Sequence, residues 1–183
     1  GLQYTYHNAK NAETFGVELD VKKNLDFIGL RGLSFVCNAA YIYSRVRFEE
    51  GAPERDRPLA GQSPYLVNAG FFYQYDDKGI SASLLYNRIG KRIESVGVPM
   101  QNQNEDIPDI YEMPRNSLDL TFSKKIGKIV EIKAGIQDML NSKVEYKQFV
   151  KLTDDKGGKS EREQLIRSYR PGVDINIGVS LRF

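Results

Sequence analysis

The last thirteen residues of the chain, PGVDINIGVSLRF, alternate between apolar and polar or small side chains with a period of two. The apolar parity holds Val173, Ile175, Ile177, Val179, Leu181 and Phe183. This is the period of a β-strand whose two faces meet different surroundings. One face therefore needs an apolar partner, which is either a protein core or a lipid bilayer.

Six earlier segments alternate in the same way, and each is long enough to supply the ~9 to 11 residues of a tilted membrane strand. The seven predicted strands are approximately residues 13–24, 33–48, 64–75, 79–94, 114–126, 129–140 and 171–183. Tyr, Phe, Val and Ile are common in the chain, which suits strands. We predict an all-β fold, an antiparallel up-and-down meander of about seven to eight strands.

The connections between these segments also alternate, between short and long. NLDFIGLRG, DDKG and KIGK are short and turn-like, as β-hairpins require. Residues 49–64, 94–114 and 141–169 form long stretches that are rich in polar residues, Pro and Gly, and we interpret them as loops. Tight turns at one rim and large loops at the other are typical of a transmembrane β-barrel, so we expect the meander to be part of one.

A soluble up-and-down barrel or sandwich gives the same alternation with its apolar face turned inward, and it predicts an apolar internal cavity. The Asn, Ser, Thr, Gly and Gln of the polar parity and the tyrosines near strand ends favour the membrane. The residues expected to face lipid are Val173, Ile175, Ile177, Val179, Leu118, Leu120, Phe122, Val17 and Leu19.

Amino-acid composition and hydropathy reduce the number of protein classes to which the chain could belong. The 26 Lys and Arg nearly balance the 24 Asp and Glu, so no basic surface for nucleic acid is expected. No apolar run reaches the ~20 residues of a membrane helix, and no signal peptide opens the chain. The first residues read like the middle of a protein, so we expect a fragment. Cys37 shares the apolar parity and is expected to be a small buried hydrophobe.

The end of the chain resembles the β-signal of Gram-negative outer-membrane barrels. The residues that carry the resemblance are Asn176, Gly178, Leu181 and Phe183. In that family the last strand is what the barrel-assembly machinery recognises. The resemblance therefore implies that these four residues form a membrane-insertion signal.

Nearly the whole chain resembles the C-terminal third of a TonB-dependent receptor. The phrases that carry this resemblance are RPLAGQSPYLVNAGFFY, GISASLLYNRIGKRI, IYEMPRNSLDLTFSKKIGK and IKAGIQDMLNSKVEY. Such receptors have a barrel of about 22 strands with an N-terminal plug, and neither plug nor TonB-contacting box occurs here. We therefore expect residues 1–183 to be a single C-terminal barrel segment without the plug and the N-terminal strands. Residues 12–23 and 172–183 would then be its open edges.

The resemblance implies a receptor in the Gram-negative outer membrane that takes up a scarce nutrient. Its partners would be outer-membrane lipid, the barrel-assembly machinery and TonB, the last through the absent plug. The resemblance does not identify the nutrient, and the candidates are an iron–siderophore, haem, cobalamin, a glycan and a peptide. Candidate ligand contacts in the loops are Arg55, Arg57, Gln62, Tyr111, Arg115 and Tyr169. The alternatives are a soluble β-barrel that binds a small ligand, and a small outer-membrane barrel or adhesin.

Catalytic chemistry finds little support in the sequence. The single histidine, His7, cannot be combined with other residues into a nucleophile and its general base. The acidic run of Glu105, Asp106, Asp109 and Glu112 lacks the residue order of a calcium loop. We expect no enzyme activity, no catalytic residue, no metal site and no cofactor.

Overall fold

The computed structural model describes residues 8–100, 106–153 and 158–182. His7, Glu105 and Phe183 lie outside the described residues. Helical structure in the described ranges is confined to two single 3-10 turns, Asp26–Ile28 and Asp76–Lys78. None of it is long and apolar enough to cross a membrane.

Eleven strands make up the rest of the regular structure in the described residues. They are β1 (Asn11–Asn24), β2 (Leu33–Arg47), β3 (Tyr65–Tyr75), β4 (Ile80–Ile89), β5 (Arg92–Ser95), β6 (Ile110–Glu112), β7 (Arg115–Ile126), β8 (Val130–Gln137), β9 (Val144–Thr153), β10 (Lys159–Tyr169) and β11 (Asp174–Leu181).

The larger sheet has seven antiparallel strands in the order β1-β2-β3-β4-β7-β8-β11. These strands match the seven that alternation predicts, so the all-β meander is confirmed. Short turns after β1, β3 and β7 lie at one rim, and the long connections lie at the other. The sheet is open, and β1 and β11 are its two edges, as expected for part of a barrel.

The smaller sheet has four antiparallel strands in the order β10-β9-β6-β5. Each of them continues a strand of the larger sheet past the long-connection rim. β4 is interrupted at Gly90 and Lys91 before β5, and β6 is separated from β7 by Met113 and Pro114. A proline has no N–H for the ladder, which explains the second break.

Two of the predictions made from the sequence, one strand and one loop, are wrong. The strand predicted at 79–94 is divided in two, and the loop predicted at 141–169 contains β9 and β10. Between β8 and β9 the chain changes direction at Asp138 and Asn141, whose φ angles are 52° and 43°. β10 carries charges on both faces, and in β9 the apolar parity is interrupted by Gln148, so neither strand shows a strict alternation of apolar and polar residues.

The register of the larger sheet keeps the two faces separate across all seven strands. On the apolar face, Phe15 pairs with Tyr43 and Leu84 pairs with Leu120. On the polar face, side chains bond across strands. The hydroxyls of Ser83 and Thr121 lie 2.6 Å apart, those of Ser81 and Ser123 lie 2.8 Å apart, and Asn38 Nδ2 donates to Glu18 and Asp20 at 2.8 and 3.0 Å.

No described element covers the apolar face. Seven of the nine residues expected to face lipid are exposed, with Ile177 at 77%, and Leu118 and Leu120 are half-buried. Cys37 on the same face is also half-buried. The buried apolar residues of the described ranges are Val46, Ile93, Val144 and Tyr146, and all four lie near the long-connection rim. Within the described ranges the larger sheet thus has no protein core of its own, and that its apolar face meets lipid stays a prediction.

Ile93→Ala is expected to loosen the smaller sheet, because Ile93 is 1% exposed and a cavity would replace its side chain. The local free energy of opening should fall by ~2 to 5 kcal/mol. Hydrogen exchange at the Gly61 amide, which donates to the Ile93 carbonyl at 2.8 Å, measures it. Val98→Ala is the control, since Val98 is half exposed. Equal exchange in both variants would contradict the assignment of this core.

Candidate functional site

An open cavity of about 400 Å³ lies at the long-connection rim, beside the smaller sheet. Three parts of the chain form its walls. They are residues 54–58 from the connection after β2, the region of β5 and β6 with residues 91, 96–97, 99, 106–109 and 111, and residues 149–151 of β9 with Glu161 of β10. Its lining mixes acidic and basic side chains with the rings of Tyr111 and Phe149. This is the candidate functional site.

Three of the six loop residues proposed from the sequence meet at this cavity, namely Arg55, Arg57 and Tyr111. The structure places Gln62, Arg115 and Tyr169 elsewhere. Whether any of the six contacts a ligand stays a prediction.

The other three residues have different local roles. Gln62 Nε2 donates to the neighbouring Ser63 carbonyl at 2.9 Å. Arg115 forms an ion pair with Asp138 where β7 and β8 reach the rim. Tyr169 lies on β10, with the Arg167 guanidinium 5.8 Å from its ring centroid. All three were proposed as loop contacts, although Arg115 already fell within the strand predicted at 114–126; Arg115 begins β7, and Tyr169, which was predicted in a loop, ends β10.

Lys91 lies between two aromatic rings on the cavity wall. Its Nζ is 3.8 Å from the centroid of the Phe149 ring and 4.1 Å from that of the Tyr111 ring. The two rings meet edge to face at 5.8 Å. Burial lowers the pKa of Lys91, and the negative charges of Glu161 and Glu163 oppose that shift. The rings hold the ammonium by cation–π attraction, which also fixes β5, β6 and β9 relative to one another.

Tyr111 presents its phenol to the cavity beside Asp109. The hydroxyl donates to Asp109 Oδ2 at 3.5 Å, and burial, followed by the charge of Asp109, raises the pKa of Tyr111. The other carboxylate oxygen of Asp109 accepts from the Gly97 amide at 2.7 Å. A side chain at Gly97 would meet the Ile107 carbonyl oxygen at 2.0 Å, so this close approach requires glycine.

The two arginines of the cavity differ in their partners. Arg55 forms an ion pair with Asp106, which joins the connection after β2 to the one between β5 and β6. Arg57 pairs through its backbone with Val46, and its guanidinium lies 5.7 Å from the centroid of the Phe48 ring. No carboxylate of the described residues forms an ion pair with Arg57. Its charge is therefore available to a ligand.

The acidic run does not converge on one point. Asp106 contacts Arg55 and the Met100 amide, Asp109 contacts Gly97 and Tyr111, and Glu112 accepts from Arg92 at 2.8 Å. In the ranges that the structure describes, no three His, Cys, Asp or Glu side chains are grouped as a metal site would need. The three carboxylates thus organise the connections around the cavity.

Sequence reasoning missed Lys91, Phe149 and Glu161. Lys91 falls in the break between β4 and β5, and the other two were assigned to a loop. The stretch VEYKQFVKLT does alternate, with Val144 and Tyr146 on its buried parity. This weak signal, in a segment with three charged residues, was the only indication that β9 brings Phe149 to the site.

No protein-family model and no solved structure matches this chain. It is similar to Transferrin-binding protein A of Haemophilus influenzae, with 25% identity over 152 residues. The match covers 75% of this chain and 16% of that protein, so the chain spans a small part of the relative's length.

Glu161→Gln is expected to lower the pKa of Lys91 further, because a negative charge that favours the ammonium is removed. Since the folded-state pKa lies below the unfolded one, the penalty on folding is present at lower pH and is relieved as the pH rises through the folded-state pKa. ¹³C NMR of labelled lysines against pH measures the shift. Glu49→Gln, at an exposed pair with Lys10, is the control. An unchanged Lys91 titration would contradict the contact.

Proposed function

We propose that this chain is the C-terminal barrel segment of a TonB-dependent receptor in a Gram-negative outer membrane, and that the receptor takes up a scarce nutrient. The proposal assigns no enzymatic step to the chain. Its partners are outer-membrane lipid, the barrel-assembly machinery and TonB. The cavity at the long-connection rim belongs to the ligand-binding surface.

The uncovered apolar face of the larger sheet is the observation that carries the proposal. Burying one Val, Leu or Ile side chain is worth ~1.5 to 3 kcal/mol, so a soluble protein covers a face of this width. Here the face spans seven strands, and it is exposed most strongly at both edges, where Val17 and Ile177 lie. Lipid would supply the missing apolar partner.

The height of the apolar face fits the same interpretation. On β7 the face is bounded by Asn116 at one end and Lys124 at the other. Eight residues at ~3.4 Å give ~27 Å along the strand, or ~20 Å across the membrane at a tilt of ~40°. This approaches the ~25 Å apolar band of outer-membrane barrels.

The open edges support a larger barrel. β1 and β11 each present one row of backbone N–H and C=O groups that no described strand pairs. Inside a bilayer such groups need partners, and closure with further strands provides them. Asn176, Gly178 and Leu181 lie on β11, which is an edge strand, so the barrel-assembly machinery could recognise them there.

The similarity to Transferrin-binding protein A indicates which ligand to test first. Transferrin-binding protein A is named for binding transferrin, and we infer that a carrier protein of this kind is the first ligand to test. A protein surface suits a cavity that is open, charged and bordered by long connections. Arg57 and Tyr111 would then contact the ligand directly.

The rival classes predict other features. A soluble ligand-binding barrel needs an apolar internal cavity, whereas the cavity of this chain is lined by charges at the rim. A small outer-membrane barrel or adhesin shares the lipid-facing surface, and only dependence on TonB separates it from a receptor.

Spin labels at adjacent positions of β7 test the membrane assignment. In the full-length protein in bilayers, with Cys37 replaced by Ser, a label at Leu120→Cys should be reached by oxygen dissolved in lipid, because Leu120 lies on the apolar face. The matched Asp119→Cys label should be reached by a water-soluble nickel chelate, because Asp119 lies on the polar face. Equal access of both labels to the nickel chelate would refute the assignment.

Cells that express the full-length protein should bind labelled transferrin, and the double variant Arg57→Ala, Tyr111→Ala should bind about tenfold more weakly, since a charged and an aromatic contact are lost. Arg31→Ala, at the opposite rim, is the control. Transferrin-dependent growth should also require TonB, whereas binding should not. Growth without TonB would favour an adhesin or small barrel, and no binding would remove transferrin as the ligand.

A further inference from the structure

One arginine lies on the apolar face where β3, β4 and β7 reach the long-connection rim. Arg88, near the end of β4, pairs in register with Val67 of β3 and Asn116 of β7. It shares the parity of Leu84 and Tyr86, so its side chain is on the apolar face. Its position marks the level at which that face ends on the loop side.

Neutral groups hold the guanidinium in place. Arg88 Nε donates to the Tyr65 hydroxyl at 3.2 Å, and Arg88 Nη1 donates to Asn116 Oδ1 at 2.7 Å. The Tyr86 hydroxyl donates to the same amide oxygen at 2.8 Å. The Tyr65 ring centroid lies 5.9 Å from the centre of the guanidinium. Three strands thus fix the orientation of one charged group without neutralising it.

The neighbouring arginines of the same face are neutralised. Arg45 forms an ion pair with Asp56 at 3.0 Å, and Arg47 forms one with Glu13 at 2.9 Å. Among the residues that the structure describes, no carboxylate pairs with Arg88. A cation at the edge of an apolar surface is unfavourable unless an anion or water meets it, so either water or an anion from outside these residues must meet the guanidinium.

We propose that Arg88, positioned by Tyr65 and Asn116, binds the phosphate of an anionic lipid headgroup at the membrane boundary. The inference rests on the proposed function, because the apolar face must meet lipid. A guanidinium fork matches two phosphate oxygens, and the acyl chains of such a lipid would lie along the apolar side chains of β3, β4 and β7. The tyrosine hydroxyls suit the same interfacial level.

Native mass spectrometry of the full-length protein in detergent tests the site. The probes are phosphatidylglycerol, a diacylglycerol with the same acyl chains, and inorganic phosphate. Wild type should retain phosphatidylglycerol about tenfold better than diacylglycerol, as a charge-assisted contact predicts. Millimolar inorganic phosphate should not displace the lipid, because the acyl chains contribute to binding.

Two variants remove the site in different ways. Arg88→Gln deletes the charge. Asn116→Asp keeps the oxygen that Arg88 and Tyr86 share, but places a carboxylate where the lipid phosphate would bind. Both should lose the preference for phosphatidylglycerol, and Arg45→Gln should keep it. If Arg88→Gln fails to fold, Asn116→Asp alone decides.

The outcomes separate this proposal from the proposed function. Retention of the preference by folded Arg88→Gln or Asn116→Asp would overturn the headgroup site while the Leu120 label still reports lipid. Displacement by inorganic phosphate would identify a free-anion site and also overturn the headgroup proposal. If the Leu120 label reports water, the membrane assignment itself fails, and the headgroup site fails with it.

Discussion

The register of the seven-stranded sheet is the constraint on which the rest of this structure depends. Because side chains alternate with a period of two, a slip of one residue in any strand would bring its polar residues to the apolar face. The pairs Leu84 with Leu120 and Ser83 with Thr121 show the two faces kept apart at adjacent positions. With no described element on the apolar side, a mismatch there would expose charge to whatever surrounds the sheet, which selects this register strongly.

Past the long-connection rim, the strands of the smaller sheet are under different physical constraints from those of the larger sheet. The strands break at Gly90 and at Pro114, and the smaller sheet carries charges on both faces of β10 and on one face of β9. Only a few apolar side chains, Ile93 above all, remain to hold the smaller sheet together. Ion pairs supply the rest of its order, as where Lys147 lies 2.7 Å from Glu163 between β9 and β10. A surface with a small core and many charged groups is suited to forming a cavity between connections.

The difference between the larger and the smaller sheet explains which features of the structure could be predicted from the sequence. The seven strands of the larger sheet were predictable because an apolar face that needs a partner imposes a strict period. β9 and β10 were not, since β10 has charges on both faces and the apolar parity of β9 is interrupted by Gln148. In the site, Arg55, Arg57 and Tyr111 could be chosen from their positions in long connections. Lys91 and Phe149 could not, because their contact joins positions far apart in the chain and depends on the continuation of β4 and β8 into a second sheet.

Gly90 connects the membrane side of the molecule to the cavity side. It separates Arg88, on the apolar face, from Lys91, on the cavity wall, along one continuous stretch of chain. An added Cβ at Gly90 would lie 2.8 Å from the Tyr65 ring and 2.9 Å from the Ser63 hydroxyl, so the start of β3 packs directly on this backbone. Tyr65 in turn accepts the hydrogen bond of Arg88. One tightly packed point therefore fixes the guanidinium at the boundary and the ammonium at the cavity, and neither group can be repositioned without disturbing the other.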